Sequence, residues 1–344
     1  MAKLEVIKME REEIESASIT ILYKTSHRRD IYDLTLRSIL RAKGVDAAIF
    51  VLNNPPDDSK EFLLNIINEE LKRGVDKDIY IIESSKNLGF GNGNNLGYEL
   101  AKSLGAKYVV LINDDFLVRE EVIGELKEML ERTDYSGISG IVLNPDFTIQ
   151  VYGSYLCHDR SRQPYQWKAR KGIPLYPTYL CGCFSIYKVK DLEECGGLFL
   201  KPHFIYAEDT ELGIRLWRCG KRIVEVPVVV GVHYQGTSMV GKKRRRDLRF
   251  SLALHRADGC VHAKRYPPSD PFTFLYSLIY FIETIATAPL PSMPLHLFMR
   301  LIGAIECWKE KTVAKEPRLL DPTCLLPITL RALYKAERLG KSKT

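Results

Sequence analysis

The sequence lacks the features that mark secreted, disulfide-rich and zinc-finger proteins. Its first residues, MAKLEVIKMEREEIE, are charged throughout and contain no apolar signal-peptide core, which predicts a protein on the cytoplasmic side of the membrane. The eight cysteines form no CxxC pair, and no histidine stands at zinc-finger spacing from them. We therefore expect buried, reduced thiols.

A clear membrane span and a nucleic-acid-binding motif are also missing. The longest apolar segment, 272–288, contains Glu283 and runs into several prolines. At about 1.5 Å per helical residue it is marginal for a hydrocarbon core of about 30 Å. The net charge of +7 is concentrated in GKKRRRDLR at 241–249, without a helix-turn-helix, RNA-recognition or zinc-finger pattern. This basic run predicts either contact with an anionic surface or phosphate-rich ligand, or a solvated loop, and no nucleic-acid partner is expected.

What the chain does contain is an alternation of strand and helix patterns in its first part. Apolar, β-branched runs typical of strands lie at 18–23, 47–52, 79–82 and 108–112, and helical patterns lie at 29–42, 59–72, 94–104 and 120–132. This cadence predicts an α/β fold with a doubly wound, mainly parallel sheet flanked by helices. Residues 17–135 form the predicted nucleotide-binding half, after an N-terminal extension at 1–16.

The rest of the chain is predicted to contain an acceptor-binding half at 136–268 and a C-terminal helical appendage at 269–344. In the acceptor half the patterns predict strands and one helix, at 137–143, 180–187, 223–232 and, for the helix, 210–219. Cys181 and Cys183 would then alternate along one strand, where packing in the core accounts for them.

One strand-like run ends abruptly in polar residues. The segment YVVLINDDF at 108–116 finishes with Asn113, Asp114 and Asp115. Ligands bind at the carboxyl ends of parallel strands, and oxygen donors there suit Mg²⁺ or Mn²⁺ carrying a phosphorylated ligand. The alternative is that Asp114 or Asp115 only caps the helix that follows.

Two further segments carry residues suited to chemistry. NLGFGNGNNLG at 87–97 follows the third predicted strand and opens a helix, so its glycines and free N–H groups could receive an anion, although it is not the dinucleotide GxGxxG pattern. The acidic segment 208–211, EDTE, has apolar flanks that favour one partly buried carboxylate as a general base. Alternatively, Asp209 is the N-cap of an ordinary acidic helix start.

Taken in order, NLGFGNGNN, INDDF, AEDTELGIRL and a strand ending in GVHYQGTS resemble the inverting glycosyltransferases of family 2, which have the GT-A fold. The resemblance covers about residues 18–268 and is nearest to the branch with rhamnosyl- and galactofuranosyltransferases. It implies a nucleotide-diphosphate sugar donor, a UDP- or dTDP-sugar, together with Mn²⁺ or Mg²⁺ and one catalytic base. The acceptor it implies is a hydroxyl of a glycan or a lipid-linked molecule.

The resemblance also assigns roles to residues. Asp209 matches the family's base, Asp115 its metal-binding aspartate, and His233 a further metal ligand. The implied nucleotide and diphosphate contacts are Tyr23, Thr25, Asn53, Asn87, Gly89, Phe90, Asn95, Asn113 and Asp114. The family often has an acidic residue where Asn53 stands, which leaves the nucleobase open.

Two other classes of function remain open at this stage. A sugar-phosphate nucleotidyltransferase would share the architecture, but the glycine-rich, basic triphosphate loop is absent after the first strand, where TSHRR at 25–29 is the nearest substitute. A non-catalytic nucleotide-binding subunit of a glycosylation complex is disfavoured by the presence of both Asp115 and Asp209.

The appendage at 269–344 has two interpretations. Its apolar surface, interrupted by charged residues, suits either a monotopic element on the cytoplasmic face of the membrane, with 242–249 on anionic headgroups, or an oligomer interface or lid. The sequence predicts neither the sugar nor the linkage.

Overall fold

The computed structural model describes residues 2–154, 172, 174–200, 205, 207–235, 295, 298–299 and 301–302. These residues form a mixed α/β fold, which confirms the predicted class. The strands are β1 Lys3–Lys8, β2 Ser16–Leu22, β3 Ala47–Leu52, β4 Asp78–Glu83, β5 Tyr108–Ile112, β6 Phe116–Val118, β7 Tyr135–Leu143, β8 Ile149–Val151, β9 Phe184–Lys188 and β10 Arg222–His233. The helices are α1 Arg29–Arg41, α2 Ser59–Lys72, α3 Gly89–Ser103, α4 Val122–Glu131, α5 Val189–Glu194 and α6 Glu208–Arg218.

The strands form one mainly parallel sheet in the order β1-β4-β3-β2-β5-β9-β7-β10-β6, and β8 pairs with β7. Strands β2 to β5 are parallel to one another. Strand β9 is antiparallel to both β5 and β7, and β10 is parallel to β7, so β7 and β10 run in the same direction as β5. The carboxyl ends of six strands, β2, β3, β4, β5, β7 and β10, therefore lie along the same edge of the sheet. The strand order reverses between β2 and β5, the kind of position where open α/β sheets bind ligands.

Helices cover both faces of the sheet because its inner strands are apolar on both sides. Along β3, Phe50 belongs to the core beneath α1, α2 and α4, whereas its neighbour Ile49 belongs to the core beneath α3, α5 and α6. This alternation with a period of two residues gives a three-layer arrangement of helices, sheet and helices. The helices cover the faces of the sheet and leave the carboxyl ends of its strands available for a site.

Helix α3 begins at Gly89, five residues before the predicted start at 94. The glycine-rich segment is thus mostly helical, and two of its glycines face the sheet. A Cβ on Gly93 would lie 2.8 Å from Ile21 Cδ1, and a Cβ on Gly97 would lie 2.5 Å from Ile19 Cγ2. These glycines let α3 approach β2 closely, so they serve helix packing, and only the first turn of the helix faces the sheet edge.

Other predicted features differ locally. The N-terminal segment forms an edge strand, with Lys3 opposite Glu83 of β4, so residues 3–8 belong to the sheet and are not an extension from it. Strand β9 begins at Phe184, so Cys181 and Cys183 lie in the turn before it. An apolar residue pattern alone does not mark where a turn closes.

Two predictions fall outside the described residues. The basic run at 241–249 does so entirely, and the appendage at 269–344 does so except for five separate positions. No helix in the described part of the chain combines the length and the hydrophobicity needed to cross a membrane.

Candidate functional site

The predicted metal ligands meet at the carboxyl edge of the sheet. After β5 the chain turns and enters β6, which pairs antiparallel with β10 so that Phe116 lies opposite His233. This register places Asp115 beside the end of β10. Tyr234 N donates to the carbonyl oxygen of Asp115 at 3.0 Å, and His233 Nε2 lies 3.1 Å from Asp115 Oδ1. Strand pairing therefore brings together two side chains that are distant in the sequence.

Gln150 of β8 orients the His233 ring, a role that sequence analysis missed. Its amide Nε2 donates to Asn144 Oδ1 at 2.8 Å and to the carbonyl oxygen of His233 at 3.1 Å. Its Oε1 therefore faces His233 Nδ1, at 2.7 Å, and must accept the proton of that nitrogen. Nε2 is left to face Asp115. No motif marks Gln150, and only the pairing of β7 with β8 reveals its role.

Two acceptor groups, an imidazole nitrogen and a carboxylate oxygen, cannot face each other without a cation between them. Burial lowers the pKa of His233, but the hydrogen bond and charge of Asp115 raise it, and the balance leaves the pKa raised. A proton can supply the positive charge, and so can a metal ion. The 3.1 Å between the two atoms would let both hold the same ion.

The donor set fits an ion that shares its ligands with a substrate. The described part of the chain contains no group of three or more His, Cys, Asp or Glu side chains able to hold a metal. Asp115 and His233 would hold the ion, and the ion would supply positive charge for a bound diphosphate. Mn²⁺ accepts the same carboxylate and imidazole ligands.

Asn113 and Asp114 differ in their availability to a ligand. Asp114 is buried, its carboxyl group accepts the backbone N–H groups of residues 114 and 115, and burial together with the charge of Asp115 raises its pKa. Asp114 therefore shapes the turn. Asn113 is half-buried, and its Oδ1 has no partner among the described residues. This buried oxygen without a partner makes Asn113, of the two, the candidate for a substrate contact.

The helix-cap alternative for these aspartates is wrong. Helix α4 begins at Val122 with Glu121 as its N-cap, well after Asp115. The same applies to Asp209, because the N-cap of α6 is Ala207, in the left-handed conformation at φ 66°. Neither acidic segment is explained by capping alone.

Asp209 lies half-buried in the first turn of α6 and faces the turn that precedes β9. Gly182 N donates to Asp209 Oδ2 at 3.3 Å, while Thr210 N donates to Asp209 Oδ1 at 2.7 Å. The same turn touches the metal-side loop, because Asn113 N donates to the carbonyl oxygen of Cys183 at 3.0 Å. The turn at 181–183 therefore contacts both Asp209, the predicted base, and the loop that contains Asp115.

A fully buried ion pair fixes the helix that carries Asp209. Arg215 donates to both carboxylate oxygens of Glu211, at 2.9 and 3.1 Å. It also donates to three carbonyl oxygens in the loop after α5, those of Cys195, Gly197 and Leu198. All the ionic and hydrogen-bonding capacity of this guanidinium is thus used inside the protein, which makes it a structural anchor.

Several predicted nucleotide contacts instead hold the site together. Asn53 Nδ2 donates to Asn87 Oδ1 at 3.1 Å and to the carbonyl oxygen of Gly89 at 3.0 Å, and Asn53 Oδ1 accepts from Leu88 N at 2.8 Å. Asn53 is also buried. Its side chain fixes the start of α3, and the backbone of that turn is what remains to face a ligand.

Asn95 is another correction. Its Nδ2 donates to the carbonyl oxygen of Phe199 at 2.8 Å, and its Oδ1 accepts from Phe199 N at 3.0 Å. Both ends of the amide are therefore engaged by one backbone unit, so the side chain is not available to a nucleotide. Phe90 lies nearby, with its ring 6.2 Å from the ring of Phe199.

The loop after β2 contains the remaining predicted contacts. Thr25 is buried and its hydroxyl lies 2.9 Å from Ser59 Oγ, so it is a packing residue. Asp57, which sequence analysis did not select, accepts backbone N–H groups from Thr25 and Ser26 at 3.0 and 2.9 Å. Tyr23 is exposed at the end of β2 and remains available.

The mainly parallel sheet with helices on both faces is the GT-A fold. The sequence profile of glycosyl transferase family 2 matches residues 25–196, half of the 344-residue chain. The chain belongs to this family.

Solved structures share the fold at low sequence identity. A mannosyltransferase from Pyrobaculum calidifontis, solved with GDP-Man and Mn²⁺, is 14% identical with a TM-score of 0.51, over 87% of this chain and 88% of that one. S. aureus TarS, solved as residues 1–349 with UDP, is 12% identical with a TM-score of 0.53, over 83% of this chain and 81% of that one.

The Haloferax volcanii low-salt glycan biosynthesis hexosyltransferase Agl10 is a curated relative. It is 37% identical over 68 residues, which are 20% of this chain and 22% of Agl10. The match therefore spans about a fifth of each protein.

Proposed function

We propose that this glycosyltransferase moves a sugar from a nucleotide-diphosphate donor, a UDP- or dTDP-sugar, to a hydroxyl of a glycan or lipid-linked acceptor with inversion at the anomeric carbon. The observation that carries the proposal is the contact of Asp115 with His233 at the carboxyl ends of the strands. The turn before β9 connects this contact to Asp209, because Gly182 bonds Asp209 and Cys183 bonds Asn113. Two groups with metal-binding chemistry and one half-buried carboxylate are what direct displacement requires.

Asp115 and His233 would hold the metal, and Asn113 would contact the diphosphate or ribose. A divalent cation there offsets the negative charge that develops on the departing diphosphate. Asp209 takes the proton of the acceptor hydroxyl while the new C–O bond forms and the bond to the diphosphate breaks. A good leaving group needs no second carboxylic acid, which separates this site from that of a glycoside hydrolase.

The nucleobase is part of the proposal. Solved proteins of this fold contain UDP, UDP-GlcNAc or GDP-Man, so uracil and guanine deserve direct comparison with the thymine of the proposed dTDP-sugar. The side chain of Asn53 is occupied within the protein. We therefore expect the backbone after β3 and the exposed Tyr23 to contact the base.

The test is calorimetric binding of UDP, dTDP and GDP, each with and without Mn²⁺. We expect metal-dependent binding of one nucleotide to the wild type and its loss in Asp115→Asn, because the amide is a poorer metal ligand. Asp209→Asn is the matched control: it makes the same change in another carboxylate and should keep nucleotide binding but lose transfer. Equal binding by the wild type and Asp115→Asn would contradict the metal assignment.

We propose that residues 17–268 form the catalytic domain. We also propose that residues 242–249 and 269–344 contact an anionic membrane surface or a second copy of the chain. Flotation with anionic liposomes, with and without the residues after 268, tests the membrane part. Equal flotation of the two forms would contradict it, and light scattering of the same two proteins tests self-association.

A further inference from the structure

The turn 181–184 contains two thiols that the proposed reaction does not use. Cys181 Sγ and Cys183 Sγ are 3.4 Å apart, within hydrogen-bonding distance for sulfur. The turn is closed by Phe184 N, which donates to the carbonyl oxygen of Cys181 at 3.3 Å. A tight turn around Gly182, instead of the predicted strand, is what brings the two side chains to the same side.

These thiols differ in exposure in a way that suits stepwise reaction. Cys181 is only partly buried, whereas Cys183 is buried. The hydrogen bond from Cys183 lowers the pKa of Cys181. A thiol that reaches solvent and has a second thiol beside it to resolve the mixed disulfide is an arrangement found in redox-active cysteines.

From this geometry we infer that Cys181 and Cys183 form a thiol–disulfide exchange site that takes small disulfides such as oxidised glutathione. Cys181 attacks one sulfur of the small disulfide and releases the first thiol, leaving a mixed disulfide. Cys183 then attacks Cys181 Sγ and releases the second thiol. The two cysteines are oxidised to one disulfide, the small disulfide is reduced to two thiols, and each leaving sulfur takes up a proton lost by a cysteine.

Closing this bond has to alter the turn. A disulfide has an S–S distance of about 2.05 Å, so the two sulfurs must approach each other by more than an ångström. The backbone that moves with them contains Gly182 N, which contacts Asp209, and the carbonyl oxygen of Cys183, which accepts from Asn113 N. Oxidation is thus transmitted to both sides of the candidate site.

The effect on the donor site rests on the proposed function, whereas the disulfide itself does not. Of the two hydrogen bonds, only the one from Asn113 N lies on the donor side, so we expect oxidation to weaken metal-dependent nucleotide binding by about tenfold, the upper range for one hydrogen bond. Reduction with dithiothreitol should restore it.

The described part of the chain offers a control pair. Cys195 and Cys219 also share a hydrogen bond between their thiols, but they lie at the C-terminal ends of α5 and α6, away from Asp209 at the start of α6. In Cys195→Ser, oxidation should therefore weaken nucleotide binding as much as it does in the wild type. Cys181→Ser and Cys183→Ser should each abolish this effect of oxidation.

The experiment incubates the full-length, reduced protein with excess oxidised glutathione, alkylates the remaining thiols and digests with trypsin. The peptide 172–188, GIPLYPTYLCGCFSIYK, contains both cysteines of the turn and no others. We expect this peptide to resist alkylation and to be about 2 Da lighter than the dithiol form. Full alkylation, or glutathione retained on one cysteine, would overturn the exchange site.

Binding is measured on the same samples with UDP, dTDP and GDP in the presence of Mn²⁺. An internal disulfide that leaves nucleotide binding unchanged would overturn the link from the turn to the donor site. If the reduced protein binds none of the nucleotides, the proposed function fails, and the peptide mass still decides the exchange site. Cys181→Ser serves as the partly buried replacement if Cys183→Ser does not fold.

Discussion

Replacing Gln150 by leucine should weaken metal binding without removing a metal ligand. The side chain fixes the His233 ring by accepting from Nδ1 at 2.7 Å, and it is itself anchored by Asn144 Oδ1 at 2.8 Å. Leucine fills a similar volume but accepts no proton, so the ring is free to rotate or to expose the wrong nitrogen. Loss of such an outer partner costs about 10- to 100-fold in metal affinity, or about 1.4 to 2.7 kcal/mol.

The structure predicts a graded series around the same contact. Asn144→Ala removes one anchor of the Gln150 amide but leaves the bond to His233, so the loss should be at most about tenfold, the upper range for one hydrogen bond. Gln150→Glu keeps an acceptor for Nδ1 but loses both bonds donated by the amide, to Asn144 Oδ1 and to the carbonyl oxygen of His233, so it should restore only part of the affinity lost in Gln150→Leu. The exposed Asp146 braces Thr148 in the same hairpin without touching Gln150, so Asp146→Ala should not change metal affinity.

The assay is calorimetric titration of Mn²⁺ into protein saturated with the nucleotide that binds in the panel, with urea unfolding of each variant beside it. Gln150→Leu should lose metal affinity while staying folded. Wild-type affinity in Gln150→Leu would refute the argument that this residue orients His233. Equal losses in Asp146→Ala and Gln150→Leu would assign the effect to the hairpin as a whole.

Two further predictions concern the scaffold. The hydrogen bond from Arg41, aided by two other arginines, lowers the pKa of the buried Glu70 from 4.5 to about 2. Between these pH values the unfolded state binds more protons than the folded state. The contribution of Glu70 to stability is therefore full above pH 4.5 and falls as the pH drops toward 2. Urea unfolding of Glu70→Gln should show a weaker acid dependence than the wild type, and an equal dependence would contradict this. Gly97→Ala should cost about 1 to 2 kcal/mol because its Cβ would overlap Ile19, whereas Gly124→Ala, with its nearest neighbour at 3.7 Å, should be neutral or stabilising. Similar unfolding midpoints for the two alanine variants would show that α3 can move away from β2.

Some elements were predicted to the residue. Strand β3, helix α2 and strand β5 match the sequence prediction, at Ala47–Leu52, Ser59–Lys72 and Tyr108–Ile112. The two strands are uninterrupted apolar runs buried on both faces, and the helix has a clear apolar stripe with an acidic first turn and a basic last turn. In such segments local pattern and tertiary burial favour the same structure.

Elsewhere the tertiary contact decides the structure. Residues 89–93 were not predicted to be helical, but α3 begins at Gly89, and Gly93 lets the helix lie against Ile21. The charged residues of β1 suggest an extension, yet Lys3 pairs with Glu83 of the neighbouring strand β4. Neither partner can be read from the neighbouring sequence.

The candidate site follows the same rule. Asp115, His233 and Asp209 were predicted from ordered motifs, and their mutual placement supports the roles proposed for them. Asn53 and Asn95 were selected because they lie in the right segments, but each amide is used by nearby backbone. A motif identifies the segment that reaches a site, whereas the direction of each side chain depends on hydrogen-bond partners far along the chain.

The two halves of the site are held by different means, and this has a consequence for specificity. Asp115 and His233 are adjacent because β6 pairs with β10, so any sequence that keeps this register keeps the contact. Asp209 depends on the position of α6, which is set by the side chain of Arg215 and by the contact with Gly182. Strand register is hard to alter without losing the sheet, whereas a helix anchored by side chains can shift by small steps. We therefore expect changes of acceptor among related enzymes to accumulate around α6 and the turn before β9, while the pair at the end of β10 stays fixed.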